Sequence, residues 1–391
     1  MTDTPDGLQL TPFDEEFFKD PYTVYRLLRR HDPVHQDENS FYEQSWTVSD
    51  YKSVKALLID GRLSVDPRSI GLRRDPRVDN PVTLRQPDMM NLEGTEHKRL
   101  RSLVHKAFTP SSISRFESRI EEIVLDCLNK ITGNSFDIVS SFAKPIPTIV
   151  IAEYIGVDAA DHLIFKQWTD SLLLQGYPIP TEAQWAEIVA ADKAFRDYIR
   201  CVITDRRKKR RDDLVSRLIE AEDENLLRDS EIVDMCYLLI GAGNFTTTDL
   251  ISNSIYAKLN TDSECDFHLA IEETLRFDPP AMVVRRYVTQ EVVIHGKTIL
   301  RGSVVNLLTA AANHDPDQFH EPDSFLPDRD TSGHLAFGRG VHHCLGAPLA
   351  RLEAKIALQK FAERFPNARI ESSKRSKRMD FRGFQSLVVK V

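Results

Sequence analysis

At 391 residues, with 41% hydrophobic and 28% charged side chains, the chain has the composition of a globular protein that can bury a large core. Its net charge of −8 argues against the basic surface that phosphate backbones require, so no nucleic-acid partner is expected. The five cysteines, at 127, 201, 236, 265 and 344, are odd in number and scattered, which suits reduced thiols; no CxxC or HExxH spacing supports zinc.

The N-terminal MTDTPDGLQL has neither a basic segment nor an apolar one, so no secretory signal or membrane anchor is read and a cytoplasmic location is expected. No flexible linker, repeat or low-complexity tract divides the chain, so residues 1–391 read as a single domain. A strand at Trp46–Val48 leads into a helix from Tyr51 to Leu58, capped by Ser49 or Asp50 and carrying Val54, Leu57 and Leu58 at helical spacing. Further helices are expected from about Glu96 to Ala107, Ser112 to Lys130, Glu182 to Arg207, and Ser230 through the 250s. The basic run Arg206–Arg211 reads as a solvated loop or helix end. Strand character returns in VVIHGKTILRGSVVNLL, where His295-Gly296-Lys297 and Arg301-Gly302 separate β-branched runs. The class is mainly α with a minor β portion near 40–50 and 284–310.

Gly241-Ala242-Gly243 resembles the opening of a dinucleotide fingerprint, but that motif needs a preceding strand. Here Ile232, Val233, Cys236, Leu239 and Ile240 keep helical spacing, so the glycines lie inside a helix. A flat ligand against that face, or a kink, would account for their cost of about 1 kcal/mol each.

The strongest signal is HLAFGRGVHHCLGAPLARLEAKIALQKF. Leu345, Leu349, Leu352 and Ile356 mark an amphipathic helix beginning just after Cys344, so the sulfur lies at a helix N-terminus, which favours thiolate. Gly338, Gly340 and Gly346 give the loop backbone freedom and room for a bulky neighbour. A soft anionic sulfur so placed is a nucleophile or an iron ligand.

Phe337-Gly338-x-Gly340-x-His342-x-Cys344-x-Gly346 resembles the cysteine-ligand loop of the cytochromes P450. The resemblance continues through Glu273-Thr274-Leu275-Arg276, Arg329 in SFLPDRD, EGTEHKRLRSLVHKAFTP, VVRRYVT and ANHDPDQFHEPDSF, in matching order from near residue 40 to the C-terminus. It implies a P450-like fold with haem b between a long distal helix and the cysteine loop. Cys344 would be the axial metal ligand, with Phe337 beside the sulfur and Gly346, Ala242 and Gly243 against the haem. His97, Arg101, Arg286 and His342 would hold the propionates, and Glu273, Arg276 and Arg329 would form a structural charge cluster. The resemblance also implies pocket walls including Met89, Met90, Ile240, Val283, Val284 and Phe384, and around Leu172 to Tyr177. It implies O₂, a small apolar substrate, and electrons from a ferredoxin or flavodoxin with an NAD(P)H reductase. Lys98, Arg99 and Lys106 are candidates for docking that partner.

Two departures stand out. Ala242-Gly243-Asn244-Phe245-Thr246-Thr247 carries Phe245 where the family has an acid, and Phe cannot donate a proton. Thr246 is retained, and Asn244 and Asp249 are candidate substitutes. The stretch between Thr246 and Glu273 is also short, as if the intervening helix were truncated. The activity expected is therefore an O₂-dependent monooxygenase. The alternatives are a P450-type enzyme that uses peroxide or catalyses rearrangement or dehydration, and a non-enzymatic haem sensor or carrier.

Overall fold

The structure, a computed structural model, describes residues 15–37, 44–71, 88–172, 181–224, 226–261 and 266–391. The helices are α1 (Glu15–Lys19), α2 (Pro21–His31), α3 (Tyr51–Leu57), α4 (Gly94–His105), α5 (Pro110–Ser114), α6 (Glu117–Asn129) and α7 (Pro145–Ile155). They continue with α8 (His162–Leu172), α9 (Glu182–Lys208), α10 (Leu214–Asp223), α11 (Asp229–Leu259), α12 (Phe267–Phe277), α13 (Thr309–Ala312) and α14 (Ala347–Arg364). The strands are β1 (Val34–Gln36), β2 (Ser45–Val48), β3 (Leu63–Ser64), β4 (Ser135–Asp137), β5 (Val284–Val288), β6 (Val292–Ile294), β7 (Lys297–Ile299), β8 (Val304–Leu307), β9 (Arg369–Arg375) and β10 (Phe384–Lys390).

Two compact units are formed, one from Met1–Arg74, Tyr256–Cys344 and Lys374–Gln385, the other from Asp75–Ile255, Leu345–Ser373 and Ser386–Val391. The first holds the sheet β1-β2-β8-β5-β3, in which β2 and β8 run parallel with Trp46 opposite Val305, and the remaining pairs are antiparallel. Its core joins Val34, Val48, Val54, Leu57, Val288, Val305 and Leu307. Asp50 caps α3 by accepting from the Ser53 amide at 2.9 Å. The β6–β7 hairpin turns through His295 and Gly296, both at positive φ.

Asp278, just past α12, accepts from Arg375 at 2.7 Å, from Arg382 and from the Tyr22 hydroxyl at 3.0 Å. Burial alone would raise its carboxyl, but the charges of Arg375 and Arg382 outweigh that and, with these hydrogen bonds, hold it at about 2.

The second unit is a helix assembly. α7 is mainly apolar and mostly buried, with polar side chains at Thr148 and Glu153, which is why PIPTIVIAEYI shows no amphipathic period to mark it in the sequence. The helix expected over Ser112–Lys130 is instead α5 and α6, parted near Phe116, whose ring packs edge-on against Tyr154 at 5.6 Å. The basic run closes α9 and is largely exposed, as expected of a solvated helix end, with one exception. Arg206 is buried, bonded to Asp213 at 2.5 Å and to the Gly156 carbonyl at 2.6 Å, while Arg207, Arg210 and Arg211 pair with Glu222, Asp223 and Asp158. The expected β portion also missed β4, which pairs antiparallel with β10 in a sheet ordered β4-β10-β9. Only residues 260–266 separate α11 from α12, so the short connection read from the sequence leaves no room for a long helix.

Candidate active site

The loop before α14 is shaped by its own backbone. Gly338 donates to the Leu335 carbonyl at 2.9 Å with φ +66, His343 to Gly340 at 3.1 Å, and Cys344 to Phe337 at 2.9 Å. Gly340, at φ +76, has no space for a side chain, because a Cβ there would come within 2.9 Å of Ile59. Gly346 differs from the sequence expectation: its φ of −79 needs no glycine, and what it provides is open space where a Cβ would stand. Rings of His334 and His343 flank Phe337 at 6.0 and 6.3 Å. The Ala336 amide donates to His334 Nδ1, so the His334 proton is on Nε2, facing Glu272 at 3.2 Å.

Cys344 is exposed, three residues before α14. Cys127 and Cys236 are buried, and burial pushes both thiols up, that of Cys127 to about 11. Cys201 on α9 is also exposed, and of these two exposed thiols only Cys344 stands in a glycine-shaped loop ahead of a helix N-terminus.

Behind the loop, all five Arg276 donors are used. Nε and Nη2 clasp Glu273 at 2.8 and 2.7 Å, and the remaining protons go to the carbonyls of Asn313, Pro322 and Ser324. Glu273 Oε1 also accepts from Arg329 at 3.0 Å and from the Leu326 amide at 2.8 Å. The structure thus brings Glu273, Arg276 and Arg329 together, with Glu273 and Arg276 fully buried. Asn313, which sequence reasoning did not single out, links this cluster to the loop: its carbonyl accepts from Arg276 and its Oδ1 from the Leu335 amide at 2.7 Å.

In the second unit, α11 is buried along most of its length, yet Leu238, Gly241, Ala242, Phe245 and Thr246 are half-buried or exposed. Their spacing of three, one, three and one places them on one face. The Thr246 hydroxyl donates to the Ala242 carbonyl at 2.7 Å, which leaves its oxygen as an acceptor. Three expected site residues on α11 point elsewhere. Ile240 is 1% exposed and on the far side from Ala242. Gly243 faces Ile151 of α7, where a Cβ would make an ordinary 3.7 Å contact. Asn244 is buried, and its amide is bonded to Thr148 of α7 at 2.8 Å, so it is not a substitute for the missing acid. Asp249, one turn beyond Thr246 on the same face, is buried.

His97 and Arg101 lie four apart on α4, His97 buried and Arg101 half-buried. Arg286 is buried on β5 and His342 is half-buried in the cysteine loop. Met89 is buried and Met90 exposed, while Val283 and Val284 are half-buried against the first unit's apolar clusters. Phe384 is enclosed rather than pocket-facing: Arg375 lies 3.8 Å over its ring and Tyr256 at 4.9 Å. Phe381 forms an isolated antiparallel bridge with Ala281, two residues before Val283. Leu172 ends α8, and the rest of the stretch to Tyr177 lies outside the described residues. Arg99 is engaged by Glu96 at 2.8 Å and Glu231 at 2.6 Å and is not free for a partner; Lys98 and Lys106 are exposed.

The cytochrome P450 family model matches residues 268–389, the segment that carries Glu273, Arg276 and Cys344. Polyketide biosynthesis cytochrome P450 PksS of Bacillus subtilis (strain 168) is 32% identical over 98% of both chains, and its solved structure superposes with a TM-score of 0.87 at 31% identity, covering 98% of this chain and 99% of that one. The chain belongs to the cytochrome P450 family.

Cytochrome P450 monooxygenase PikC of Streptomyces venezuelae is 33% identical, over 95% of this chain and 90% of that one. P450BioI, solved in complex with a hexadec-9Z-enoic acid ligated acyl carrier protein, is 31% identical with a TM-score of 0.87, over 96% and 99% of the two chains. The protein is therefore a haem-thiolate monooxygenase with haem b as its cofactor, and as a P450 it uses O₂ and an electron donor. The residues fit that group: a glycine-shaped loop presents an exposed thiol, and α11 carries an uncovered, largely apolar stripe. No described helix is long and apolar enough to cross a membrane.

Proposed function

We propose that Cys344 is the axial iron ligand and that the enzyme hydroxylates a small apolar or largely apolar molecule, with electrons from a ferredoxin or flavodoxin and its NAD(P)H reductase. The observation that carries the substrate class is the stripe on α11, where Leu238, Gly241, Ala242 and Phe245 offer carbon surface around the single hydroxyl of Thr246. Bound haem supplies O₂ activation, which thiolate ligation favours by donating electron density. His97, Arg101, Arg286 and His342 would hold its propionates as cations or hydrogen-bond donors, and Phe337 would pack beside the sulfur. Thr246 Oγ1, its own proton given to Ala242, would hold a water by accepting from it, so that protons reach the site through solvent; Phe245 excludes water and cannot donate. That each compact unit is assembled from interleaved segments supports reading residues 1–391 as one cytochrome P450 domain, and the lack of a spanning helix among the described residues is compatible with a cytoplasmic enzyme.

Phe245 favours a second reading, a P450 that uses peroxide or catalyses rearrangement or dehydration. Reduced protein under carbon monoxide should give a thiolate-type Soret band that is lost in Cys344→Ala; its survival would refute the ligand assignment. Compounds that shift the spin state are then turned over with ferredoxin, reductase and NADPH, or with peroxide alone. Product only with peroxide would favour the second reading. Thr246→Ala should divert electrons from product to peroxide, and unchanged coupling would remove its role in proton supply.

A further inference from the structure

Asn244 lies on α11 between the stripe residues Ala242 and Phe245, yet it points the other way. Two residues along a helix are about 200° apart, so a side chain at 244 leaves the far side from Ala242. There it meets α7, whose Thr148, Val150 and Ile151 are themselves buried. The Thr148 hydroxyl gives its proton to the Lys144 carbonyl at 2.8 Å and can therefore only accept from Asn244, which fixes the amide with Nδ2 toward Thr148 at 2.8 Å. Gly243 faces Ile151 on the same side, with room for a methyl group between them. The Asn244 carbonyl also accepts from Thr248 Oγ1 at 3.0 Å, and Asn244 Oδ1 is buried without a hydrogen-bond partner.

We propose that Asn244 is a positioning residue for the monooxygenase reaction: by its bond to Thr148 it sets the rotation of α11 on α7, and so the direction in which Ala242, Phe245 and Thr246 face. This rests on the reading of that stripe as the oxygen-binding side of the pocket. A side chain on the stripe stands several ångströms from the helix axis, so a rotation of ten to twenty degrees moves its tip by about 1 Å, a displacement that can cost on the order of 100-fold in rate. The unsatisfied Oδ1 means that the bond is made at a cost that a leucine would not bear. Positioning and stability therefore separate at this residue. Asn244→Leu relieves the buried acceptor and leaves Thr148 bonded to Lys144, so thermal stability should hold or rise while the orientation of the stripe is lost.

The test uses haem-loaded protein, reduced, with carbon monoxide as the probe. The C–O stretching band in the infrared reports the polar and steric surroundings of the bound gas, and the rate of reoxidation by air follows the same surroundings. Asn244→Leu and Thr148→Val should each shift or broaden the band and change the reoxidation rate several-fold, with the thiolate Soret band unmoved. Thr148→Ser, which keeps the acceptor, should resemble the parent. The double variant Asn244→Leu/Thr148→Val should match the single variants, because one bond is broken in all three. The proposal is overturned if Asn244→Leu keeps the parent band and rate, or if Thr148→Ser shifts them as far as Thr148→Val. Should Thr148→Val fail to fold, Asn244→Leu decides alone. Loss of the thiolate Soret band in the parent protein would be a different failure, that of the Cys344 assignment.

Discussion

Around Cys344 the polar groups close on one another. Arg276 spends all five of its protons, Glu273 accepts from three groups, and Asn313 ties the pair to the loop nine residues before the sulfur. Along the middle of α11 the opposite holds: a carbon-rich stripe is left uncovered, the Thr246 proton is used within the helix, and Asn244, anchored to Thr148 of α7, faces away. The loop is a geometry over-determined by directional bonds, which suits a metal ligand whose position cannot vary. The α11 face is set by packing and by one hydrogen bond at its back, which leaves its residue types free to differ, as Phe245 does.

The largest expected effect tests the closed side. Arg276→Ala leaves Glu273 buried with half its hydrogen bonds gone and should cost roughly 3–5 kcal/mol, seen as loss of soluble haem-loaded protein or a large fall in Tm. If the variant binds haem and melts like the parent, the loop does not depend on the cluster.

Asp278 extends the comparison to acid. Its carboxyl is held at about 2, against an ordinary value near 3.8. Its contribution is therefore present above the ordinary value and lost as pH falls toward 2, roughly 2–3 kcal/mol in all. Denaturant titrations across that window should show Asp278→Asn less stable at neutral pH, with a flatter acid limb.

Glu353 on α14 should behave with the opposite sign. It is 2% exposed, its Oε2 has no hydrogen-bond partner, and burial pushes its carboxyl well above the ordinary range. A group raised in the folded state favours folding most below its unfolded value, and that contribution fades as pH rises. Glu353→Gln should remove this loss, read as a flatter stability profile as pH rises above the ordinary carboxyl value of 4.5. An unchanged slope would show that the carboxyl is ionised in the folded protein.

The smallest effect concerns the glycine expected to lie against the haem. Gly243→Ala adds a methyl at ordinary contact distance from Ile151 and should stabilise α11 by up to about 1 kcal/mol without moving the Soret band. A displaced Soret band would return Gly243 to the haem side.

The sequence by itself determined the backbone of the cysteine loop, because glycines at fixed short spacings carry it: Gly338 and Gly340 take positive φ, and the Cys344 amide closes onto the Phe337 carbonyl. It also determined α3, α9, α11 and the β6–β7 hairpin, where caps, period and turn residues are local signals. It was silent or misleading where the deciding partner is remote. α7 has no amphipathic period because apolar residues occupy most of its surface and most of it is buried, and β4 is a strand through pairing with β10, some 250 residues away. Arg206 reads as one more residue of a basic run until Asp213 and Gly156 enclose it, and Phe384 reads as a pocket wall until Arg375 and Tyr256 cover its ring. On α11, period places Ala242, Phe245 and Thr246 on a common face, but which face of a nearly all-buried helix stays open was decided only by tertiary contacts, above all the bond between Asn244 and Thr148.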